Sequence, residues 1–430
     1  MSSRNAAAVR ALRCWVAAAL LALFVGASAL APAAARADLH SSLDHVLVRY
    51  HLAQPGTAVR VWNLDTGKHL YGRNGHTLLV PASNQKLVTS ATALARWGVE
   101  HRFRTELWSV RSGPDASGVL HGSIIVKGYG DPSLSSTRFQ RRVLGYATSD
   151  IAHFVRALQQ RGVTAIRGRV LADESYFDNA RTVAGWKTSF VAECGPLSAL
   201  SLDQGTPGGR RVAEPAVYVA NELRKRLIAA GITVTGGARL GVVPEGATLL
   251  HTEYSAPLRR IVRHMNKRSD NFTAEMLIKG LGKEFGRGGT TTAGAVVECA
   301  FLVDCGVDVA EVRLRDGSGL HYRNRLSAAA VARLLRELTT REDFSVYQAT
   351  LPLAGVDGTL RWRMRDTPAA GNLRGKTGTL SIASSLSGYV TTANGQKLVF
   401  SVLMNGSSLD IATARRAQDA IGALLARSRL

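Results

Sequence analysis

The stretch VPASNQKLVTSATAL, residues 80–94, indicates the fold and raises the question of function. After Pro81 the apolar residues recur at helical spacing, which predicts an amphipathic helix. Ser83 and Lys86 stand three residues apart at its start, so their side chains project from the same side of the first turn. Two interpretations fit: a capping serine beside a surface lysine, or a serine nucleophile beside a lysine base.

Two further short motifs follow this stretch along the chain. KRSDNFTAEML places Ser269 and Asn271 at the head of a predicted helix, and LRGKTGTLS places Lys376 on a predicted strand. Taken singly, each motif is better explained as a helix cap or an ordinary edge strand than as a catalytic element. Together, the order Ser-x-x-Lys, Ser-x-Asn, Lys-Thr-Gly matches the motif set of penicillin-binding proteins and class A β-lactamases.

The chemistry of acyl transfer explains why these residue types belong together. A serine hydroxyl is a poor nucleophile unless a neighbour takes its proton, and Lys86 can do so if burial and a nearby cation, Lys376, lower its pKa. Ser269 would relay the proton to the leaving amine, and Asn271 would orient Lys86 and the substrate amide. The candidate catalytic residues are therefore Ser83, Lys86, Ser269, Asn271 and Lys376.

The predicted strand that carries Lys376 has a second role in this hypothesis. The backbone N–H groups of Ser83 and Thr379 would form an oxyanion hole for the tetrahedral intermediate. Gly378 has no side chain, so an extended substrate can lie close against the strand.

Along nearly the whole chain after residue 37, the sequence resembles the class C low-molecular-mass penicillin-binding proteins, the D-alanyl-D-alanine carboxypeptidase/endopeptidase family. Besides the three motifs, the resemblance rests on five phrases: GYGDPSL (128–134), LSALSLD (197–203), NKRSDNFTAEML (266–277), DGSGL (316–320) and LPLAGVDGTL (351–360). It implies an α+β fold, an α/β/α sandwich: a penicillin-binding transpeptidase-like domain with an antiparallel sheet, plus an inserted β-rich subdomain. Longer members insert a further small domain before Ser269, which this chain is expected to lack.

The resemblance also implies a substrate class and its contacts. The substrate would be the peptide stem of peptidoglycan, and β-lactam antibiotics would bind covalently to Ser83. The terminal D-Ala carboxylate would be held by Thr377, Thr379 and Ser381. Contacts to the diamino acid of the stem would come from Asp173 in VLADESYF and Arg363 in GTLRWRM. No cofactor and no metal site are expected.

The pattern of strands and helices predicts how the chain is divided. TAVRVWNLDTGKHLYG reads as two strands around a turn, and KTGTLS, SLSGYVTT and QKLVFSVLMN read as three more before a helix over 410–425. A sheet fed from both chain ends predicts one discontinuous domain, residues 38–104 and 253–430. Residues 105–252 are predicted to be the inserted subdomain.

The first 37 residues are typical of a secretory signal peptide. Three arginines precede a short apolar run over 15–25, and Ala35-Arg36-Ala37 is the expected cleavage site, with Ala27-Ser28-Ala29 as the alternative. An uncleaved membrane anchor is the other interpretation of this segment. The hypothesis is export to the periplasm, the cell wall or the medium.

The charge balance favours an anionic partner. Removing residues 1–37 takes away four arginines and no acid, which lowers the formal net charge from +22 to +18. The basic residues are scattered, without a Lys/Arg block, so an anionic wall or membrane surface fits better than nucleic acid.

Three cysteines follow residue 37. Cys299 and Cys305 could close a short disulfide in an oxidising compartment, which would leave Cys194 as a buried free thiol.

Three function classes compete on these residues. The main hypothesis is a serine DD-peptidase, acting as carboxypeptidase, endopeptidase or both. A β-lactamase would need a dedicated base for deacylation, for which no loop is recognised. A peptidoglycan-binding protein without turnover would not need the intact motif residues.

Overall fold

The structure, a computed structural model, describes residues 38–430. The predicted signal peptide and both alternative cleavage sites lie outside the described residues. Within residues 38–430, no helix combines the length and the apolar character that crossing a bilayer requires.

The described chain alternates strands with helices. The strands are β1 Thr57–Asn63, β2 His69–Arg73, β3 Arg104–Ser109, β4 Val119–Leu120, β5 Ile124–Gly128, β6 Ala165–Ile166, β7 Val170–Asp173, β8 Thr233–Val234, β9 Ala238–Leu240, β10 Thr248–Tyr254, β11 Val312–Arg313, β12 Arg325–Leu326, β13 Arg374–Leu380, β14 Ala383–Thr391 and β15 Lys397–Asn405. The helices are α1 38–49, α2 Gln85–Trp97, α3 Thr137–Phe139, α4 Ala152–Gln160, α5 Pro215–Ala229, α6 Leu258–Arg268, α7 Asn271–Phe285, α8 Thr291–Asp304, α9 Ala328–Leu338, α10 Phe344–Thr350 and α11 Ile411–Arg427.

The main sheet joins the two ends of the described chain. Its order is β13-β14-β15-β1-β2, and every neighbouring pair is antiparallel. β1 pairs with β15, so Thr57 lies opposite Met404 and Asn63 opposite Leu398. The five strands predicted from the sequence are therefore confirmed, because their alternating patterns and turns specify them locally.

Helices cover both faces of this sheet. α1 and α11 pack one face through a core that includes Leu43, Leu47, Ile421 and Phe400. Asp410 fixes the start of α11 because its carboxylate accepts the N–H groups of the first helical turn. α2 and α6 to α10 supply the core on the opposite face. The α/β/α arrangement inferred from the sequence is confirmed.

The middle of the chain builds a second sheet with its own apolar core. The order β10-β3-β5-β7-β9 is antiparallel at one end and parallel from β5 to β9, and β4, β6 and β8 form a small parallel sheet beside it. Helices α4 and α5 contribute to the core of this region. Because β3 and β10 are neighbours, the chain leaves the main sheet and returns to it at adjacent positions.

The cysteines do not pair. Cys194, Cys299 and Cys305 are all free thiols, and Cys194 is buried as expected. Cys299 and Cys305 lie on and directly after the same helix, six residues and thus ~9 Å of helical rise apart. That separation exceeds the reach of a disulfide, so the suggested bridge between Cys299 and Cys305 is wrong.

Candidate active site

Ser83 lies in a strained turn at the N-terminal end of α2. It belongs to the 3₁₀ turn Ala82–Asn84, where Ala82 adopts a φ of 48°, a left-handed conformation uncommon for a residue with a side chain. Two glycines pack against this turn. A Cβ at Gly319 would collide with the carbonyl oxygen of Ala82, and one at Gly378 would lie 2.8 Å from the Ser83 nitrogen. The turn is therefore clamped between a loop and strand β13.

Lys86 is fully buried and its ammonium has three oxygen partners. Its Nζ lies 3.1 Å from Ser83 Oγ, 2.7 Å from Asn271 Oδ1 and 2.6 Å from the Ser318 carbonyl oxygen. The Asn271 amide is oriented because its Nδ2 donates to the Glu193 carbonyl at 2.8 Å. Lys86 and Ser83 are thus within the hydrogen-bond reach that a nucleophile and its base require.

A second buried lysine lies at the same site. Lys376 Nζ donates to Ser269 Oγ at 2.9 Å and to the Thr377 carbonyl at 2.8 Å. The five candidate catalytic side chains therefore form two hydrogen-bonded groups, one around Lys86 and one around Lys376.

Burial depresses the pKa of both lysines. Desolvation lowers the pKa of Lys86 to about 8, although the carboxylates of Asp316 and Glu275 oppose this shift. The pKa of Lys376 falls well below its ordinary value because of burial and because of repulsion from Lys86. The sequence pattern predicted that Lys376 would lower the pKa of Lys86, whereas in the structure the repulsion between the two lysines lowers the pKa of Lys376.

Ser269 and Asn271 reach the site from a junction between two helices. Ser269 ends α6 in the left-handed conformation, with a φ of 59°, and Asp270 then caps α7 by accepting the N–H groups of Phe272 and Thr273. The cap predicted as an alternative role for this motif therefore exists, but Asp270 provides it. Ser269 and Asn271 are left free to face the lysines.

Strand β13 lines one wall of an open cleft of about 960 Å³ that contains Ser83. Thr377, Gly378, Thr379 and Ser381 all lie along this wall. Thr379 Oγ1 accepts a hydrogen bond of 3.1 Å from the Arg415 guanidinium of α11. This edge of the cleft thus combines hydroxyl groups with a cation, which suits a carboxylate.

The two residues assigned to the diamino acid are placed differently. Arg363 lines the cleft, where its guanidinium bonds Asp419 Oδ1 at 2.8 Å. Asp173 is not among the residues that line the cleft. It is buried at the end of β7, where its carboxylate accepts the N–H groups of Ser175 and Val243 and lies 3.3 Å from Lys127. The structure therefore does not bring Asp173 together with the other candidates.

Sequence reasoning missed the residues that support the Lys86 group. The Ser318 carbonyl is held in place because Glu275 Oε1 accepts the N–H groups of Ser318 at 2.7 Å and Gly317 at 3.1 Å. Burial raises the pKa of Glu275 to about 8. The phrases DGSGL and TAEML contain these residues, and an acidic residue within an apolar helix was the available signal.

Several residues of the cleft wall were also missed, including Thr359, which lies within the phrase over 351–360. Tyr322 shares a hydrogen bond of 2.7 Å with Ser381 Oγ, and the Lys187 ammonium lies 4.0 Å from the centroid of its ring. Thr359 accepts a hydrogen bond of 2.7 Å from Thr377 Oγ1. These contacts join segments distant in sequence, which is why local pattern gave no sign of them.

An antiparallel sheet between helical layers, with a Ser–Lys pair beside Ser-x-Asn and Lys-Thr-Gly, defines an active-site serine hydrolase of the penicillin-binding class. The model of the D-Ala-D-Ala carboxypeptidase 3 (S13) family matches residues 39–207 and 200–428. The chain belongs to this serine peptidase family.

Known relatives and solved structures are similar over most of the chain. A D-alanyl-D-alanine carboxypeptidase of an Actinomadura species is 32% identical, covering 90% of this chain and 84% of the relative. A carboxypeptidase DacB of Mycolicibacterium smegmatis is 28% identical, covering 85% of this chain and 79% of the relative. The crystal structure of penicillin binding protein 4 from Haemophilus influenzae is 23% identical with a TM-score of 0.75, covering 88% of this chain and 97% of that one. This last likeness supports the expected fold.

Proposed function

We propose that this peptidase cleaves D-Ala-terminated stem peptides of peptidoglycan, as carboxypeptidase, endopeptidase or both, through an acyl-enzyme on Ser83. The three partners of Lys86 Nζ carry the proposal. Two of them, the Asn271 amide oxygen and the Ser318 carbonyl, only accept hydrogen bonds, whereas the Ser83 hydroxyl can donate. A neutral amine has two N–H groups and one lone pair, so it fits these partners with the lone pair facing Ser83.

The same geometry suits acylation. Neutral Lys86 takes the Ser83 proton as Oγ attacks the D-Ala carbonyl, and the intermediate's oxygen is stabilised by the N–H groups of Ser83 and Thr379. Ser269, bonded to Lys376, stands ready to pass a proton to the leaving amine. Water then hydrolyses the ester and regenerates Ser83.

Recognition of the substrate carboxylate is assigned to the β13 wall. Thr377, Thr379 and Ser381 supply hydroxyl groups along the cleft. The role expected for Gly378 is corrected, because a Cβ there would collide with Ser385 Oγ and with the Ser83 turn, so this glycine is needed for packing against that turn. Arg363 lines the same cleft and is proposed to contact the diamino acid of the stem. A contact from Asp173 stays a prediction, which kinetics of Asp173→Asn with stems of different diamino acids would check.

Penicillin distinguishes this proposal from its rivals. The β-lactam imitates the D-Ala-D-Ala terminus, and its amine stays tethered after ring opening, so the ester should persist. Intact-mass analysis should find one adduct of the drug's mass, located on Ser83 by tandem mass spectrometry and absent from Ser83→Ala. The wild type should also release D-Ala from diacetyl-L-Lys-D-Ala-D-Ala.

Other outcomes select the other function classes. Rapid turnover of penicillin without D-Ala release would identify a β-lactamase. No adduct and no D-Ala release from a well-folded protein would leave a peptidoglycan-binding protein. An adduct on a different serine would overturn the assignment of the nucleophile.

The proposed substrate requires an extracytoplasmic protein. The signal-like segment over residues 1–37 and the mature charge of +18 support export and attraction to an anionic wall or membrane surface. N-terminal sequencing of the native protein from the extracytoplasmic fraction should begin at Asp38. A native protein whose sequence starts at Met1 would indicate an uncleaved membrane anchor instead.

We also propose the domain division, residues 38–104 with 253–430 and the inserted 105–252. The separate apolar core of the middle region and the adjacency of β3 and β10 support it. Limited proteolysis should cut at the junctions or within 205–211 before it cuts the strands. Early cleavage inside β5 would contradict a folded insertion.

A further inference from the structure

A second cavity, of about 900 Å³, lies beside the catalytic cleft and is lined by seven arginines and one lysine. The segments that form it are the turn over 141–146, helix α6, helix α10 and the loop over 356–361. Of the sequence motifs, only the start of the phrase over 266–277, with Lys267 and Arg268, and the end of the phrase over 351–360 fall within these walls.

The positive charges of this cavity are largely uncompensated. Among the described residues, Asp357 is the only acid in the cavity wall, and both of its oxygens accept hydrogen bonds from Lys267, at 2.6 and 2.7 Å. Within residues 38–430, no carboxylate lies within 4.0 Å of a side-chain nitrogen of Arg141, Arg142 or Arg260. The same holds for Arg263, Arg268 and Arg361 among the described residues. Arg259 pairs with Glu100, so six of the seven arginines lack an acidic partner among the described residues. Like charges gathered in a concavity in this way favour an anionic ligand.

The wall is also partly apolar. Val143 and Val356 line the cavity with exposed side chains, 41% and 53% accessible, and Tyr146 lies beside them. A phosphate polymer has no apolar groups that would pack against these valine side chains. A peptide that carries both methyl groups and carboxylates matches arginine and valine together.

The cavity adjoins the catalytic cleft. Arg268 lines both the cavity and the cleft. Residues of the segment between them line one or the other: Gly358 and Arg361 line the cavity, and Thr359 and Arg363 line the cleft. Thr359 is in turn bonded to Thr377 on β13. A substrate longer than the cleft would therefore extend into the cavity past the proposed carboxylate site.

We propose that this cavity binds the carboxylates of the second peptide in a cross-linked substrate. The inference rests on the proposed function and specifies its substrate as a cross-linked pair of stems. In that reaction the amide between the D-Ala carbonyl and the amine of the second stem breaks, the Ser83 ester forms, and the amine leaves with a proton. The leaving group is then itself a peptide with several carboxylates, whereas a carboxypeptidase substrate releases only D-Ala.

The test compares one variant on two substrates. Arg141→Gln with Arg260→Gln removes two exposed charges that line the cavity and not the cleft. We expect kcat/KM for a purified cross-linked muropeptide dimer to fall about tenfold or more, chiefly through KM. The kcat/KM for diacetyl-L-Lys-D-Ala-D-Ala should stay within about twofold of wild type.

The matched control is Arg167→Gln with Arg169→Gln, which removes the same charge from two exposed residues of the middle region. It should leave both substrates unaffected. An equal loss in the control, or an unchanged rate on the dimer in the cavity variant, would overturn the assignment. A variant that cleaves the dimer normally but binds isolated walls less tightly would make the cavity a general polyanion site and would equally overturn it.

The two proposals fail in distinguishable ways. If the wild type releases no D-Ala from the small peptide and cleaves no dimer, the proposed function itself is wrong. If it cleaves both and the cavity variant does too, only the present inference is wrong.

Discussion

Two groups of cations lie next to each other in this protein and hold their charges in opposite ways. At the catalytic site Lys86 and Lys376 are fully buried, and every nitrogen–oxygen contact of Lys86 is directed at a specific partner. In the adjoining cavity, arginines such as Arg141 and Arg260 are exposed and have no acidic partner among the described residues. The first group is held inside the protein, and the second faces solvent.

The difference teaches what each cation can do. Burial penalises the charged form of a lysine, so its pKa falls into the range where it can lose a proton to do chemistry. An arginine does not deprotonate in a protein, so its use at an exposed wall is recognition of anions. In our proposal, residue type and burial together therefore place proton transfer at the buried lysine and anion binding at the exposed arginines.

The comparison would break most severely if a buried arginine could replace the buried lysine. We predict that Lys86→Arg loses kcat/KM for D-Ala release nearly as completely as Lys86→Ala, by about a hundredfold to ten-thousandfold. Arginine keeps the charge but has no lone pair to take the Ser83 proton. If Lys86→Arg kept more than about a tenth of wild-type kcat/KM, a loss under ~1.4 kcal/mol, Lys86 would not be the base.

The pH dependence sharpens the comparison with a smaller effect. Lys86 must be neutral to act as base, so kcat/KM for the small peptide should rise about tenfold for each pH unit below its pKa and level off above it. The burial-lowered pKa of about 8 sets the position of that limb. The Ser83→Ala variant should bind the cross-linked dimer without cleaving it. The equilibrium affinity of this binding should change little between pH 6 and 9, because arginine does not titrate there. If kcat/KM did not change with pH over this range, Lys86 would not be the general base.

Salt should produce the smallest effect. It should act mainly on the cross-linked dimer, whereas the change of pH acts mainly on the reaction of the small peptide. Exposed charges are screened over about 10 Å at 0.1 M salt, whereas buried groups are screened much less. Raising NaCl from about 0.05 to 0.5 M should lower kcat/KM for the cross-linked dimer several-fold, and lower it for the small peptide by a clearly smaller factor. Equal sensitivity of the two substrates would remove the distinction between the regions.

The sequence by itself determined the class of the protein, its main sheet and its principal side chains. Alternating strands, the turn at 65–67 and the terminal helix are local patterns, and each was confirmed. The three motifs named Ser83, Lys86, Ser269, Asn271 and Lys376, which the fold brings together at one site. Their grouping was readable because each motif is a short stretch with its own local structure.

Only the tertiary structure decided how those side chains are supported and what lies beside them. The Ser318 carbonyl reaches Lys86 across 232 positions of sequence, and Asp173 packs away from the cleft with Lys127. The arginines of the basic cavity come from the segments 141–146, 258–268 and 356–361, each of which alone has the pattern of an ordinary charged surface. The physical reason is that burial and convergence of charge depend on which distant segments pack together, and neither has a periodic or local signal along the chain.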